Sequence, residues 1–248
     1  MKALENKIAL VTGASKGIGA AIAIAFATAG ARVVVNYRQD EPGAADVVSD
    51  ILSLGSEAVA VQADISQPHE VERLFATTVA EFGAPDIVVN NAGSFHHGDF
   101  AALTLEVMRQ QIDVNLLGTM LVCQQAIHHF PPHGGSIINL SALNSKNSTP
   151  GSVLWAATKG AIDTLTQGLA RELGAKNIRV NALAPGMILT EGLLAAKKIS
   201  PQLKAQLLAA TPLGRFGLPE DVAQVALFLA SEESAYVSGE RVMISGGA

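Results

Sequence analysis

Short, unbroken apolar runs alternate along the chain with longer stretches in which apolar residues return at helical spacing. KIALVTG (7–13), RVVVNY (32–37), EAVAVQAD (57–64), DIVVNNAG (86–93), SIINLSA (136–142), IRVNALAPG (178–186) and RVMISGGA (241–248) are of the first kind. GAAIAIAFATAG (19–30), AADVVSDILSLG (44–55), HEVERLFATTVAEFG (69–83), VMRQQIDVNLLGTMLVCQQAI (107–127), WAATKGAIDTLTQGLARELG (155–174) and EDVAQVALFLAS (220–231) are of the second. A strand that is apolar at successive positions is covered on both faces, whereas a half-exposed strand alternates. The pattern therefore predicts an α/β protein: one doubly wound, Rossmann-type parallel sheet of about seven strands with helices on both faces. No repeat, low-complexity tract or linker divides it, so 1–248 reads as a single domain. The pattern lapses only over 187–216, which holds Lys197 and Lys198 and reads as a mobile helical insertion over a cleft.

Composition narrows the partners. Hydrophobic residues make up 49 % and aromatics 4 %, as suits layers packed through Val, Ile, Leu and Ala. A formal charge of −5 gives no electrostatic reason to expect nucleic acid or an anionic membrane. Cys123 is the single cysteine, which precludes an internal disulfide; within GTMLVCQQAI it reads as a buried core thiol. No basic-then-apolar leader opens the chain, and no apolar run approaches the roughly 20 residues of a membrane span. A cytoplasmic protein is the expectation. The histidines follow no ligand spacing with carboxylates or thiols, so no metal site is expected.

Chemistry begins at TGASKGIG. Gly13, Gly17 and Gly19 lie between the first strand and the first helix, with Ser15, Lys16 and Ile18 among them. Such spacing lets the chain turn tightly and brings backbone N–H groups onto a pyrophosphate at a helix N-terminus. A site for NAD(H) usually follows the second strand with a carboxylate for the ribose 2′-hydroxyl. Here Asn36, Tyr37 and Arg38 end that strand, and Lys16 projects from the turn. Two cations suit a 2′-phosphate, so NADP(H) is favoured over NAD(H), although Asp40 and Glu41 follow closely enough to support some NAD(H) use.

Together these segments resemble the short-chain dehydrogenase/reductase family along essentially the whole chain. TGASKGIG resembles its coenzyme turn, Ala63-Asp64-Ile65 the strand end that holds adenine, and Asn90-Asn91-Ala92-Gly93 its NNAG segment. Asn115 in IDVNLLG matches its helix-embedded catalytic Asn, and Pro185-Gly186, followed by Ile188 and Thr190, the turn beside the nicotinamide. The resemblance implies an oxidoreductase acting on a small molecule, most like bacterial carbonyl, sugar or 3-oxoacyl reductases. It also implies a homotetramer built through the helices of Asn115 and Trp155 and the carboxy-terminal strand. In this family an Asn, Ser, Tyr and Lys act together: the tyrosine exchanges a proton with substrate oxygen, the serine steadies that oxygen, and the lysine lowers the tyrosine pKa and holds the nicotinamide ribose.

Asn115 and Lys159 match that set, but the tyrosine position is Trp155 and the serine position is Ala142, with Ser141 beside it. Indole N–H only donates hydrogen bonds, and alanine offers none. The expectation is hydride transfer to or from a C=O or C=N group through an atypical or impaired proton-donor site. An iminium ion needs no protonation, and an indole face accommodates positive charge. The alternatives are a non-catalytic NADP(H)-binding module and an ordinary carbonyl reductase substituted at two positions. His96, His97, Asn144, Ser145 and Asn147 are candidates for a substitute donor. HHFPPHGGS carries no Lys or Arg, which weakens the expectation of an acyl-carrier-protein substrate.

Overall fold

The computed structural model describes residues 2–191 and 201–248. Lys197 and Lys198 lie outside the described residues. Seven parallel strands form one sheet in the order β3-β2-β1-β4-β5-β6-β7: β1 Ile8–Val11, β2 Arg32–Tyr37, β3 Ala58–Gln62, β4 Ile87–Asn90, β5 Gly135–Leu140, β6 Ile178–Pro185 and β7 Arg241–Ile244. The expected architecture is present. Successive residues of β1 show why the strands are apolar throughout. Ala9 and Val11 pack beneath α1 (Gly17–Thr28), α2 (Glu41–Ser53) and the helix Pro219–Ala230, while Leu10 faces the opposite layer. That layer is built from α3 (Pro68–Glu81), α5 (Thr119–His129) and α6 (Val153–Leu173), through Leu74, Phe75, Val122 and Leu173. Among the described residues no helix is long and apolar enough to cross a membrane.

Strand order reverses between β1 and β4. Ligands of such sheets bind outside the carboxyl ends of the strands at this switch point, because the two connections leave in opposite directions and open a crevice. Gly13 and Gly93 follow β1 and β4 at that place.

One expected helix is interrupted. The stretch 107–127 divides into α4 (Leu105–Ile112), a π-helical turn (Asp113–Gly118) and α5. The wider turn carries Asn115, and the Thr119 hydroxyl donates to the Asn115 carbonyl at 2.9 Å. In the irregular stretch, a parallel bridge pairs Ile188 with Gly217, and α7 (Pro201–Ala209) lies between these two points, with α8 being Pro219–Ala230.

The carboxyl end of β5 is tied down by an ion pair from two other elements. Arg241 of β7 donates Nη2–H to the carbonyls of Ala142 (2.8 Å) and Leu143 (3.2 Å), and its Nε lies 3.0 Å from the Asp163 carboxylate of α6. Asp163 also accepts from the Ser141 and Ser145 hydroxyls. Both charged side chains are nearly enclosed, at 9 % and 11 % exposure. Removing one member of such a pair leaves an uncompensated buried charge. Arg241→Met is expected to lower unfolding stability by about 3 kcal/mol, and Arg241→Met with Asp163→Leu to recover part of that loss, as read from urea unfolding midpoints.

Candidate active site

The lip of the crevice between β1 and β4 rests on two glycines whose side-chain space is already taken. Gly13 has φ +60°, and a Cβ there would lie 2.8 Å from Ala92 Cα; at Gly19 a Cβ would strike the Asn91 amide and the Gly13 carbonyl. The close approach is held by hydrogen bonds. The Thr12 hydroxyl accepts from the backbone N–H of Asn91 (3.0 Å) and Ala92 (3.1 Å), and Asn91 Nδ2 donates to the carbonyls of Thr12 (2.9 Å) and Gly13 (2.8 Å). The glycine turn and the NNAG segment, far apart in sequence, thus form one rigid lip.

Asn36 supports this lip from beneath. It is buried, accepts from Gly13 N–H at 3.2 Å, and donates from Nδ2 to the carbonyls of Val61 (3.2 Å) and Ala63 (3.1 Å). Its side chain faces inward, across the tips of β1, β2 and β3, and not toward a ribose at the surface. At the tip of β2 each of the two expected cations faces a carboxylate. Lys16 Nζ lies 2.7 Å from Asp40, and Arg38 lies 3.7 Å from Asp64. The Lys16 ammonium bonded to Asp40 holds that carboxyl below its ordinary range. Asp40 reaches back to the turn because it caps α2, accepting from Gly43 N–H. Asp64 further accepts from the Ser66 backbone N–H (3.0 Å) and hydroxyl (2.7 Å), and Ile65 is buried beside it.

Beyond the lip the crevice widens into a cleft of about 1400 Å³. Ile18, Asn91, Gly93, Pro185, Gly186, Ile188 and Thr190 line it, as do Ala142, Trp155 and Lys159. Gly13, Ser15, Lys16, Arg38 and Asp64 are outside its walls, towards the tip of β2. Asn115 stands behind the cleft, fully buried: its Oδ1 accepts from Ser94 N–H (2.7 Å), and its Nδ2 donates to the Ser94 carbonyl (2.9 Å) and the Thr158 hydroxyl (3.2 Å). It holds the segment after NNAG against α6 one residue from Lys159.

Lys159 is 6 % exposed and donates from Nζ to the Leu140 carbonyl at 2.6 Å. Burial pulls its pKa down to about 8, with the Asp163 carboxylate acting in the opposite direction. An ammonium has three N–H groups, and Leu140 is the one acceptor found for them among the described residues.

The two substituted positions present no O–H. Ala142 is 2 % exposed, and Trp155 packs edge to face on Phe95 with ring centroids 5.2 Å apart. Its indole N–H has no hydrogen-bond partner among the described residues. Ser141 does not replace the missing hydroxyl, because its own is turned to Asp163 and buried. Ser145 is likewise engaged by Asp163 and Arg241. His97 reaches the cleft wall, 6.4 Å from the Phe95 ring, while His96 stays outside it; Asn144 and Asn147 line the wall. Phe95 and Arg241 were not among the expected site residues. A phenylalanine after NNAGS and an arginine at a strand start carry no chemical pattern that marks them in sequence. Among the described residues no group of three or more His, Cys, Asp and Glu side chains is placed to hold a metal ion.

This geometry has relatives. A family model described as enoyl-(acyl carrier protein) reductase matches residues 13–248. An uncharacterized oxidoreductase of Methylorubrum extorquens is 45 % identical over 247 residues, covering 100 % of this chain and 99 % of that one. A 3-oxoacyl-[acyl-carrier-protein] reductase of Synechocystis is 38 % identical over 251 residues, covering 100 % and 98 %. The crystal structure of a short chain dehydrogenase from Burkholderia cenocepacia in complex with NADP superposes with a TM-score of 0.92 at 34 % identity, covering 99 % of this chain and 98 % of that one. With the glycine lip, the π-turn asparagine and the buried α6 lysine in one crevice, the chain is an oxidoreductase of the short-chain dehydrogenase/reductase family.

Proposed function

We propose that this oxidoreductase binds NADP(H) and exchanges hydride with a small C=O or C=N substrate, without the hydroxyls that the family's tyrosine and serine would place at 155 and 142 to move the accompanying proton. The observation that carries the reading is the division of the cleft. The lip that would receive the coenzyme is intact, whereas Trp155 and Ala142 stand where the family's tyrosine and serine act.

The residues fit a dinucleotide. The crowding at Gly13 and Gly19 holds the turn close at the start of α1, where helix partial charge favours a pyrophosphate. Lys16, Ser15, Gly17 and Ile18 would hold that end, Asp64 and Ile65 the adenine, and Asn91, Ala92 and Gly93 the far side of the crevice. Lys16 and Arg38 supply the charge for a 2′-phosphate, which would compete with Asp40 and Asp64 for them. The B. cenocepacia relative with NADP supports the same choice. When bound, the nicotinamide supplies or accepts a hydride. Pro185, Gly186, Ile188 and Thr190 would border it, and Lys159 would hold its ribose, a duty that needs no tyrosine.

The proton step is where the residues constrain the chemistry. Loss of a positioned general acid costs on the order of 10²–10⁴ in rate. Loss of an oxyanion donor costs about 10²–10³, the two not multiplying when the groups act as a unit. A homotetramer and a cytoplasmic location complete the reading. Leu105, Ile112, Leu117, Met120 and Val153 form exposed apolar surface on the helices that such an assembly would use.

Three outcomes are expected. The protein as it stands turns over saturated ketones slowly, and Ala142→Ser with Trp155→Tyr raises NADPH-dependent ketone reduction by about 10²–10⁴; unchanged rates in the double variant, with NADPH bound normally, would count against the reading. Asp40→Ala frees Lys16 and tightens NADPH relative to NADH in calorimetric titration, and Arg38→Ala weakens it. NADPH affinity also falls as pH rises through about 8, where Lys159 loses its proton. Its folded pKa lies below the ordinary lysine value, so the ammonium is present below that pH and absent above it. This step is missing in Lys159→Met.

A further inference from the structure

Positions 155 and 142 bring no hydroxyl to the cleft, but its wall holds others, and their partners tell them apart. Ser141 is turned to Asp163. The Thr149 and Ser152 hydroxyls pair with each other at 2.9 Å, and Thr149 also accepts from the Asn144 amide. Thr211 donates to the Leu207 carbonyl at 2.9 Å, and Ser245 to that of Ala248 at 3.1 Å. Thr190 is not free either. Ser94 lines the same cleft, half-buried, and its Oγ has no hydrogen-bond partner among the described residues.

The place of Ser94 is fixed by its backbone and by its two chain neighbours. Its N–H donates to Asn115 Oδ1 at 2.7 Å, and its carbonyl accepts from Asn115 Nδ2 at 2.9 Å. On one side stands Gly93, where a Cβ would lie 3.9 Å from Lys159 Nζ. On the other stands Phe95, whose ring meets the Trp155 indole edge to face with centroids 5.2 Å apart. Consecutive Cα atoms are about 3.8 Å apart, so Ser94 is held where the lysine and the indole of α6 both come close. The hydroxyl therefore belongs to the part of the cleft bounded by residues 155 and 159, where the family's tyrosine and lysine work.

The indole N–H of Trp155 donates and cannot accept, so a proton lost from it has no route back. A hydroxyl donates one hydrogen bond and accepts two, so it can pass a proton on and be resupplied. We propose that Ser94 is a catalytic residue of this protein: its Oγ–H binds the substrate oxygen and relays a solvent proton to it, in place of the hydroxyls absent at 155 and 142. This deepens the preceding reading and rests on its placement of hydride transfer in this cleft. As the coenzyme C–H bond breaks, its electron pair forms the new C–H bond of the substrate, and the C=O pair moves onto oxygen. That oxygen takes the Ser94 proton, and Ser94 Oγ takes one from a water, leaving hydroxide to the solvent. The Lys159 ammonium keeps its part at the coenzyme ribose, and none of its N–H groups is needed for this step.

NADPH-dependent reduction of ethyl pyruvate tests this in two backgrounds, the protein as it stands and Ala142→Ser with Trp155→Tyr. NADPH affinity is titrated calorimetrically in every sample. In the unaltered background Ser94→Ala is expected to lower kcat by about 10²–10³ with NADPH affinity unchanged. The bonds from Ser94 to Asn115 are made by its backbone, so alanine keeps the fold. In the restored background, where a phenol and a serine again serve the oxygen, the same substitution costs at most about a tenth as much. Thr149→Val, which removes a hydroxyl already engaged, leaves kcat within about twofold. An equal loss from Ser94→Ala in both backgrounds means a structural role and overturns the proposal. No loss, or a loss matched by Thr149→Val, does the same. Unaltered protein that binds NADPH without turnover also overturns it, and turnover by the restored variant then leaves the preceding reading standing. Refusal of NADPH by the unaltered protein sinks the preceding reading and this one with it.

Discussion

Lys159 carries its ammonium to a place where only 6 % of the residue meets solvent, and gives one N–H to the Leu140 carbonyl at the last residue of β5. Burying that charge is costly, and the surroundings offset the cost in layers. Asp163, one turn further along α6, opposes the loss of charge. Asp163 is itself neutralised by Arg241 from β7, and Arg241 fastens the carbonyls of Ala142 and Leu143. The buried cation, the end of β5 and the edge strand therefore form one electrostatic unit. Perturbing Arg241 reaches the cleft through the backbone of Ala142 and Leu143.

The sheet was legible because its physics is repetitive. Strands covered on both faces must be apolar at every position, and Ala9, Leu10 and Val11 are buried on alternate sides as that requires. The glycine lip, Asn115 and Lys159 were legible because each stands in a local motif with a mechanical reason for its residue type. What stayed hidden depends on contacts between distant segments. Lys16 and Arg38 read as cations, but their pairing with Asp40 and Asp64 follows from where α2 and the end of β3 bring those carboxylates. Asn36 sits at a strand tip in sequence, yet its amide bridges three strand ends because their carbonyls need a donor there. The π-helical turn at Asn115 has no signature in an apolar periodicity that runs smoothly through it. Arg241 could be placed only once β7 was seen to lie beside β6, within reach of the turn after β5.

The framework accommodates Ala142 and Trp155 for identifiable reasons. Ala142 is held through its backbone carbonyl, so its side chain contributes nothing to the Arg241 clamp, and a methyl group at 2 % exposure leaves no polar atom unpaired. Trp155 presents a large apolar surface and has the Phe95 ring as a partner. Neither residue disturbs the Lys159–Leu140 bond or the Asn115–Ser94 brace.

On the proposed function, coenzyme affinity and proton transfer are separable in this molecule. In the family arrangement one lysine serves both, by holding a ribose and by lowering the pKa of a neighbouring hydroxyl. With no hydroxyl at 155 or 142 to acidify, the field of Lys159 acts on whatever occupies the cleft. At pH values below about 8 that field is positive and poorly screened by solvent, since the ammonium is enclosed by protein. It favours any partner that becomes negative as it reacts and opposes any that arrives positive.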